Sequence, residues 1–176
     1  MLITRYADQA SRAALHERVE EVYRNARNDL YYYLITLGLR SHQAQEVTQD
    51  AFLKLYVAMR DGEEIRNTRA WLFRVAHNLG LNVREKESRL HRLDAEDSIP
   101  AQSNQESPER SMIEKERRAA LQHAMAGLSP QQRQCLYLRA EGLRYHEIAA
   151  AIGISSSSVG EFLRRGLSKL RKVVHG

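Results

Sequence analysis

The sequence predicts an all-α protein made of two small helical domains, the second carrying a helix-turn-helix, joined by a flexible linker. Three observations lead there. Apolar residues recur at three- and four-residue spacing from about Leu15 onward, with no convincing run of alternating β-branched residues. Between about His91 and Arg110 that periodicity lapses, and Ser98, Pro100, Ser103, Asn104, Gln105, Ser107 and Pro108 take over. Charge also divides unevenly along the 176 residues. Residues 1–90 carry 14 Lys+Arg against 12 Asp+Glu, residues 91–111 carry 2 against 5, and residues 112–176 carry 11 against 5. The expected units are therefore a helical domain at 1–90, an acidic linker at 91–111 and a basic helical domain at 112–176. A polyanionic partner fits the last of these.

The first helix is written by Leu15, Val19, Val22, Ala26, Leu30 and Tyr33, and should stop near Gly38. Ser41 is expected to cap a second helix whose core stripe is Ala44, Val47, Ala51 and Leu55, ending before the Asp61-Gly62 turn. The two should pack antiparallel. Asn67 or Thr68 then caps a third helix with Leu72, Val75, Leu79 and Val83 on one face. After the linker, Ser129-Pro130-Gln131-Gln132 combines an N-cap, a first-turn proline and a reciprocal capping glutamine.

The most specific local pattern is Gly142 to Ser155 followed by Ser156-Ser157-Ser158-Val159, and it reads as a helix-turn-helix. Ile148, Ala149 and Ile152 face inward, Gly153 permits a left-handed turn, and Ser155 caps the second helix. Val159, Phe162 or Leu163, Leu167 and Leu170 should form the buried stripe of that helix. Ser156, Ser157, Ser158, Gly160 and Glu161 then stand at its leading end, where base edges are met, and Arg164, Arg165, Lys169, Arg171 and Lys172 are placed for phosphates. Gly160 weakens the helix by roughly 1 kcal/mol relative to alanine. Glu161 opposes phosphate unless it accepts from a cytosine amino group.

These residues resemble the extracytoplasmic-function (ECF) RNA polymerase sigma factors, at both ends and in the right order. Leu128 to Arg133, Ala140 to Leu143, Glu147-Ile148-Ala149, Gly153-Ile154-Ser155 and Lys169-Leu170-Arg171 are similar to the family's sigma-four domain, which binds the minus-thirty-five element. Ala44 to Tyr56 resembles the sigma-two helix that docks on the polymerase clamp, although the family usually has aspartate where Glu46 stands. Thr68 to Leu79 resembles the helix that melts and reads the minus-ten element. The resemblance implies core-polymerase contacts at Glu46, Gln49, Asp50, Phe52 and Leu53. It implies minus-ten contacts at Asn67, Arg69, Trp71, Arg74, His77 and Asn78, and minus-thirty-five contacts at Ser156, Ser157, Ser158, Glu161, Arg164, Arg165 and Lys169. Its implied partners are core RNA polymerase, promoter DNA and an anti-sigma factor.

The residues support the same division on physical grounds. Glu46, Gln49, Asp50 and Leu53 make a mixed acidic and apolar helix face, suited to a basic protein partner and poorly suited to DNA. The helix after Asn67 instead offers Arg69, Arg74, His77, Asn78, Asn82, Arg84 and Lys86, cations and amides that serve phosphates and unpaired bases. Trp71 fits a stacking role or a core position, and His77 is expected on the helix surface.

Catalysis is not indicated. The histidines are scattered, His146-Glu147 lacks a second histidine, no phosphate-binding loop occurs, and Cys135 lies in an apolar run as a buried thiol without an activating partner. No cofactor or metal is expected. No apolar run reaches the roughly 18 residues that span a bilayer, so no stable membrane insertion and a cytoplasmic location are expected. The competing reading is a helix-turn-helix regulator with an N-terminal dimerisation or sensing domain, but that leaves the polar helix of Asn67, Arg74 and Asn78 without a purpose.

Overall fold

A computed structural model of the chain describes residues 2–93 and 125–174, with side chains described at 12–90 and 125–172. The helices there are α1 (Leu2–Thr36), α2 (Ser41–Arg60), α3 (Thr68–Leu93), α4 (Pro130–Ala140), α5 (Tyr145–Ile152) and α6 (Ser156–Val174). Among the described residues there is no strand. Helix α1 begins well before Leu15, and α3 continues past Leu90. The rest of the expected linker lies outside the described residues.

Helices α1 and α2 form an antiparallel hairpin. The ring contacts His16 with Tyr56 and Tyr23 with Phe52, and the hydroxyl pair Tyr31–Ser41 at 2.9 Å, run in opposite sequence directions along the two helices. Ser41 is the first residue of α2 rather than its cap. Arg40 occupies the cap position, and its amide donates to the side chain of Gln43 at 2.9 Å. The expected stripe of α2 is buried at Ala44, Val47, Ala51 and Leu55, and Phe52 joins it.

Asn67 caps α3 as expected, its Oδ1 accepting from the Ala70 amide at 3.1 Å. The buried side of α3 differs from expectation. Leu72 is enclosed, but its companions are Phe73, Ala76 and His77, whereas Val75, Leu79 and Val83 are only partly covered. One amphipathic stripe is what a helix on a single partner needs; α3 packs on α1 and α2 and also against α5. At Gly80 it approaches the end of α1 and the turn after it so closely that a Cβ would lie 2.7 Å from Leu37 Cδ2 and 3.0 Å from Leu34 Cδ2.

His77 is 4% exposed, not a surface histidine, and its Nδ1 pairs with the Tyr33 hydroxyl at 2.8 Å. Burial lowers its pKa to about 4. The unfolded chain takes up this proton near the ordinary value of about 6.5, so the contribution of neutral His77 is complete above that pH and is lost as pH falls towards 4. The loss is on the order of 3 kcal/mol. Urea unfolding of the wild type should therefore lose stability more steeply between pH 6.5 and 4 than that of His77→Phe. Parallel pH profiles would show that His77 does not set the slope.

In the C-terminal half, Ser129 and Gln132 form the reciprocal cap that the sequence predicts, with Gln132 N to Ser129 Oγ at 3.2 Å and Ser129 N to Gln132 Oε1 at 3.0 Å. Gly153 has φ +73°, the left-handed turn between α5 and α6, and Ser155 Oγ accepts from the Ser158 amide at 3.1 Å. Along α6, Val159 and Leu163 are buried and Phe162 is half-buried. Leu167, expected in the stripe, is 46% exposed. Gly166 takes its place: a Cβ there would lie 2.9 Å from Leu136 Cδ1, so the close crossing of α4 and α6 leaves no need for a large side chain. Cys135 is buried as expected, and burial pushes its thiol up to about 11.

The two halves share one continuous apolar cluster, running from Ala26 and Leu55 through Phe73 to Leu138, Ile148 and Leu163. The Tyr33 ring lies 5.4 Å from Phe73 and 5.6 Å from Tyr137, and joins the halves at its centre.

Candidate functional site

Three surfaces hold the residues singled out above. On α2, the exposed residues Glu46, Gln49, Asp50, Leu53 and Val57 repeat at helical spacing and make one continuous stripe. Leu53 is 62% exposed, an apolar side chain set between the acidic and amide groups of that stripe. It borders a groove between α2 and α3 whose other walls include Val57, Trp71 and Val75. Phe52 is not on this surface. It is 6% exposed and packs edge-on against Tyr23, so it supports the stripe from beneath.

Helix α3 presents two different sides. Arg74 and Asn78 are exposed beside Asn82, and Trp71 is half-buried next to them, its indole Nε1 donating to Glu63 at 3.2 Å. This open strip offers a cation, an amide and an aromatic ring within two turns. His77 points into the protein and leaves this set. Arg69 lies on the side towards the C-terminal half. Its guanidinium donates to Asp29 of α1 at 2.6 Å, to the Glu141 carboxylate, and to the Glu141 carbonyl at 3.2 Å. Partial burial opposes the Arg69 charge, but the hydrogen bonds to Asp29 and Glu141 more than offset it and raise its pKa above the ordinary value. Asn67 donates through Nδ2 to Glu147 at 2.5 Å, while Glu147 also accepts from the Arg144 amide at 2.8 Å. Burial raises the Glu147 pKa, but these two bonds outweigh it and leave the carboxyl below its usual range.

The third surface is the leading end and outer side of α6. Ser156 and Ser157 are exposed, Ser158 is half-buried, and Arg164, Arg165 and Lys169 are exposed. Glu161 is held by both arginines, with contacts of 2.9 Å and 3.1 Å to Arg164 and 2.5 Å to Arg165. Those hydrogen bonds lower its pKa. Glu161 thus shields the two cations from one another when no phosphate is near. Lys169 Nζ donates to the Gly127 carbonyl at 3.1 Å.

Sequence reasoning gave no partner to Asp29, Tyr137, Glu141 or Glu147. Their partners lie far along the chain, as in the Tyr137 hydroxyl to Asp29 carbonyl bond at 2.8 Å, and local pattern carries no trace of such pairs. Among the described residues no cluster of metal ligands occurs, and no helix is long and apolar enough to cross a membrane.

Comparison with known proteins gives a consistent result. Residues 22–90 match the family model Sigma-70 region 2, and residues 118–170 match Sigma-70, region 4. The chain is 28% identical over 157 residues to the ECF RNA polymerase sigma factor SigE of Mycolicibacterium smegmatis, covering 86% of this chain and 60% of that one. It is 30% identical to the RNA polymerase sigma-H factor of Pseudomonas aeruginosa, covering 76% and 74% of the two chains. It is 32% identical to the RNA polymerase sigma-E factor of Streptomyces coelicolor, covering 73% and 70%. Among solved structures it is similar to the sigma factor RpoE in complex with the anti-sigma factor NepR from Bartonella quintana. The TM-score is 0.69 at 21% identity, over 89% of this chain and 96% of that one.

Proposed function

The chain belongs to the ECF RNA polymerase sigma factors, and we propose that it binds core RNA polymerase, directs it to specific promoters and helps open the DNA there. The observation that carries the assignment of roles is the contrast between two exposed helix faces in one domain. The α2 stripe of Glu46, Gln49, Asp50 and Leu53 is acidic and apolar, and so fits a protein surface. The α3 strip of Trp71, Arg74 and Asn78 combines charge, amide and ring, and so fits an unpaired DNA strand. In the second domain, Ser156, Ser157 and Ser158 lead α6 into the major groove of the minus-thirty-five element, and Arg164, Arg165 and Lys169 meet its phosphates. Residues 1–90 and 112–176 act as the two promoter-reading units, and 91–111 connects them. The protein acts as a non-catalytic initiation factor in the cytoplasm. An anti-sigma factor restrains it, a reading supported by the fold shared with the RpoE of the NepR complex.

Run-off transcription with purified core polymerase on a genomic promoter library tests this reading. Discrete start sites that core alone does not produce are expected, with two shared sequence elements upstream. Absence of specific transcripts would remove it. On duplexes carrying the upstream element, Arg164→Ala with Arg165→Ala should lower the slope of log affinity against log salt by about 1.8, at about 0.9 per phosphate contact, and weaken binding. Sequence preference should survive. An unchanged slope would place the phosphate contacts elsewhere.

A further inference from the structure

A second groove opens between the first half of α1 and the last turns of α2. Its volume is about 690 Å³, and its walls include Arg12, His16 and Arg18 of α1 with Tyr56, Met59 and Arg60 of α2. The three arginines and His16 are exposed, Tyr56 is half-buried, and the His16 and Tyr56 rings lie 5.2 Å apart. No carboxylate lines it. The acidic residues of this part of α1 gather instead around Arg24, where Glu20 accepts a hydrogen bond at 2.8 Å and raises the arginine's pKa, with Glu21 and Glu17 adding to the effect. The groove thus joins cations to a pair of rings, the combination that takes the phosphates and bases of a single strand.

Its place in the fold points to one strand. The end of α2 separates it from the groove that Leu53 borders: Tyr56, Met59 and Arg60 line the first, Val57, Ala58 and Asp61 the second, together with Trp71 and Val75 of α3. Arg60 and Asp61 pair at 2.8 Å across that divide. Crossing one packed helix covers about 10 Å, which roughly three nucleotides span at about 3.4 Å each. We propose that the groove of Arg12, His16, Arg18, Tyr56 and Arg60 holds the opened promoter strand just after it leaves Trp71, Arg74 and Asn78. The inference rests on the reading of α3 as the strand-binding helix. Unpaired DNA continues on only one side of the minus-ten segment, because the other side leads back to the duplex that α6 reads, so the groove takes nucleotides on the start-site side. The arginines neutralise phosphates and a base stacks on the His16–Tyr56 pair. The bond between Arg60 and Asp61 joins two exposed side chains and yields to a phosphate at little cost.

Holoenzyme is tested on two forks of a promoter found by the run-off experiment. In one fork the nontemplate strand ends at the minus-ten element, and in the other it continues unpaired for about six nucleotides towards the start site. Arg18→Gln with Arg60→Gln removes two cations of the groove, and Arg24→Gln with Arg27→Gln, exposed on α1 outside it, is the control of equal charge. Wild type and control should bind the longer fork more tightly than the shorter. On the longer fork Arg18→Gln with Arg60→Gln should lower the slope of log affinity against log salt by about 1.4, at about 0.7 per phosphate of a single strand, and weaken binding by up to about 25-fold at 0.1 M salt. Affinity for the shorter fork and for core polymerase should match wild type, which also shows that the fold is intact. An undiminished gain from the longer strand, or the same loss in the control, would overturn the proposal. So would a fall in core affinity, which would give the groove to an acidic surface of the polymerase. If wild type binds the shorter fork and gains nothing from the longer one, the groove loses its strand while the reading of α3 stands; no affinity for the shorter fork, with core binding intact, would remove both.

Discussion

Replacing Gln49 and Leu53 together by arginine is expected to weaken binding to core RNA polymerase by a hundredfold or more while leaving the fold intact. Both side chains are exposed, Leu53 by 62%, and neither belongs to the buried stripe of Ala44, Val47, Ala51 and Leu55. Helix propensity hardly changes, because arginine and glutamine are both good helix formers. The proposed partner surface sees a different change. A stripe bearing Glu46 and Asp50 beside an apolar knob becomes cationic at its centre, and a partner that complements acidic residues then faces like charge and loses the pocket for Leu53. Central interface residues cost about 2 kcal/mol or more each, and every 1.4 kcal/mol is about tenfold in affinity, so two such losses exceed a hundredfold. Titration of labelled core polymerase beside far-ultraviolet circular dichroism checks both halves of the expectation. Retained affinity with retained helicity would move the polymerase contact off this face.

Much of this surface is legible in the sequence alone, because a helix with one buried face leaves a readable remainder. The heptad-like recurrence of Ala44, Val47, Ala51 and Leu55 places Glu46, Gln49, Asp50 and Leu53 outside by geometry. The helix-turn-helix is legible for a different reason: its stop and start depend on local chemistry, the left-handed φ at Gly153 and the hydroxyl cap at Ser155. Phe52, one residue from the exposed stripe, cannot be sorted that way. Its direction is decided by Tyr23, which reaches it across the α1–α2 hairpin.

Helix α3 is the least legible for its length. A single apolar stripe implies one partner, and three helices cover it. A polar side chain at a helix position beside cations belongs in water, which is why spacing alone puts His77 on the surface. The Tyr33 hydroxyl supplies what water would have given, and Tyr33 lies 44 positions away in sequence. Arg69 groups with Arg74 in the sequence because both are cations on one helix. Their separation of five residues puts them on clearly different sides, and the presence of Phe73 one turn after Arg69 is the available sign that Arg69 looks towards the core. What no inspection of spacing supplies is Glu141, 72 positions on, whose carboxylate gives Arg69 its direction.

Asn78 tests whether the open strip of α3 acts on a single strand or on a duplex. The side chain is exposed and stands on the same side of the helix as Arg74 and Trp71. An amide pairs with a base edge only when that edge is unpaired and within reach, so its proposed contact exists after the base leaves the stack and not before. The contact then contributes to the opened state alone, offsetting part of the few kcal/mol that unstacking costs. Leaving one base edge without its hydrogen-bonding partner costs about 1–3 kcal/mol, which corresponds to a roughly 5- to 150-fold smaller equilibrium for strand opening. Asn78→Ala holoenzyme should therefore bind promoter duplex in a filter assay as the wild type does, while permanganate reactivity of thymines in the opened segment falls by that factor. Arg74→Ala provides the contrast: a cation attracts phosphate in both closed and opened DNA, so its loss should weaken both measurements together and more strongly at low salt. Equal losses of duplex binding and strand opening in Asn78→Ala would mean that this side chain meets DNA before it opens, and the capture role of the strip would have to be given up.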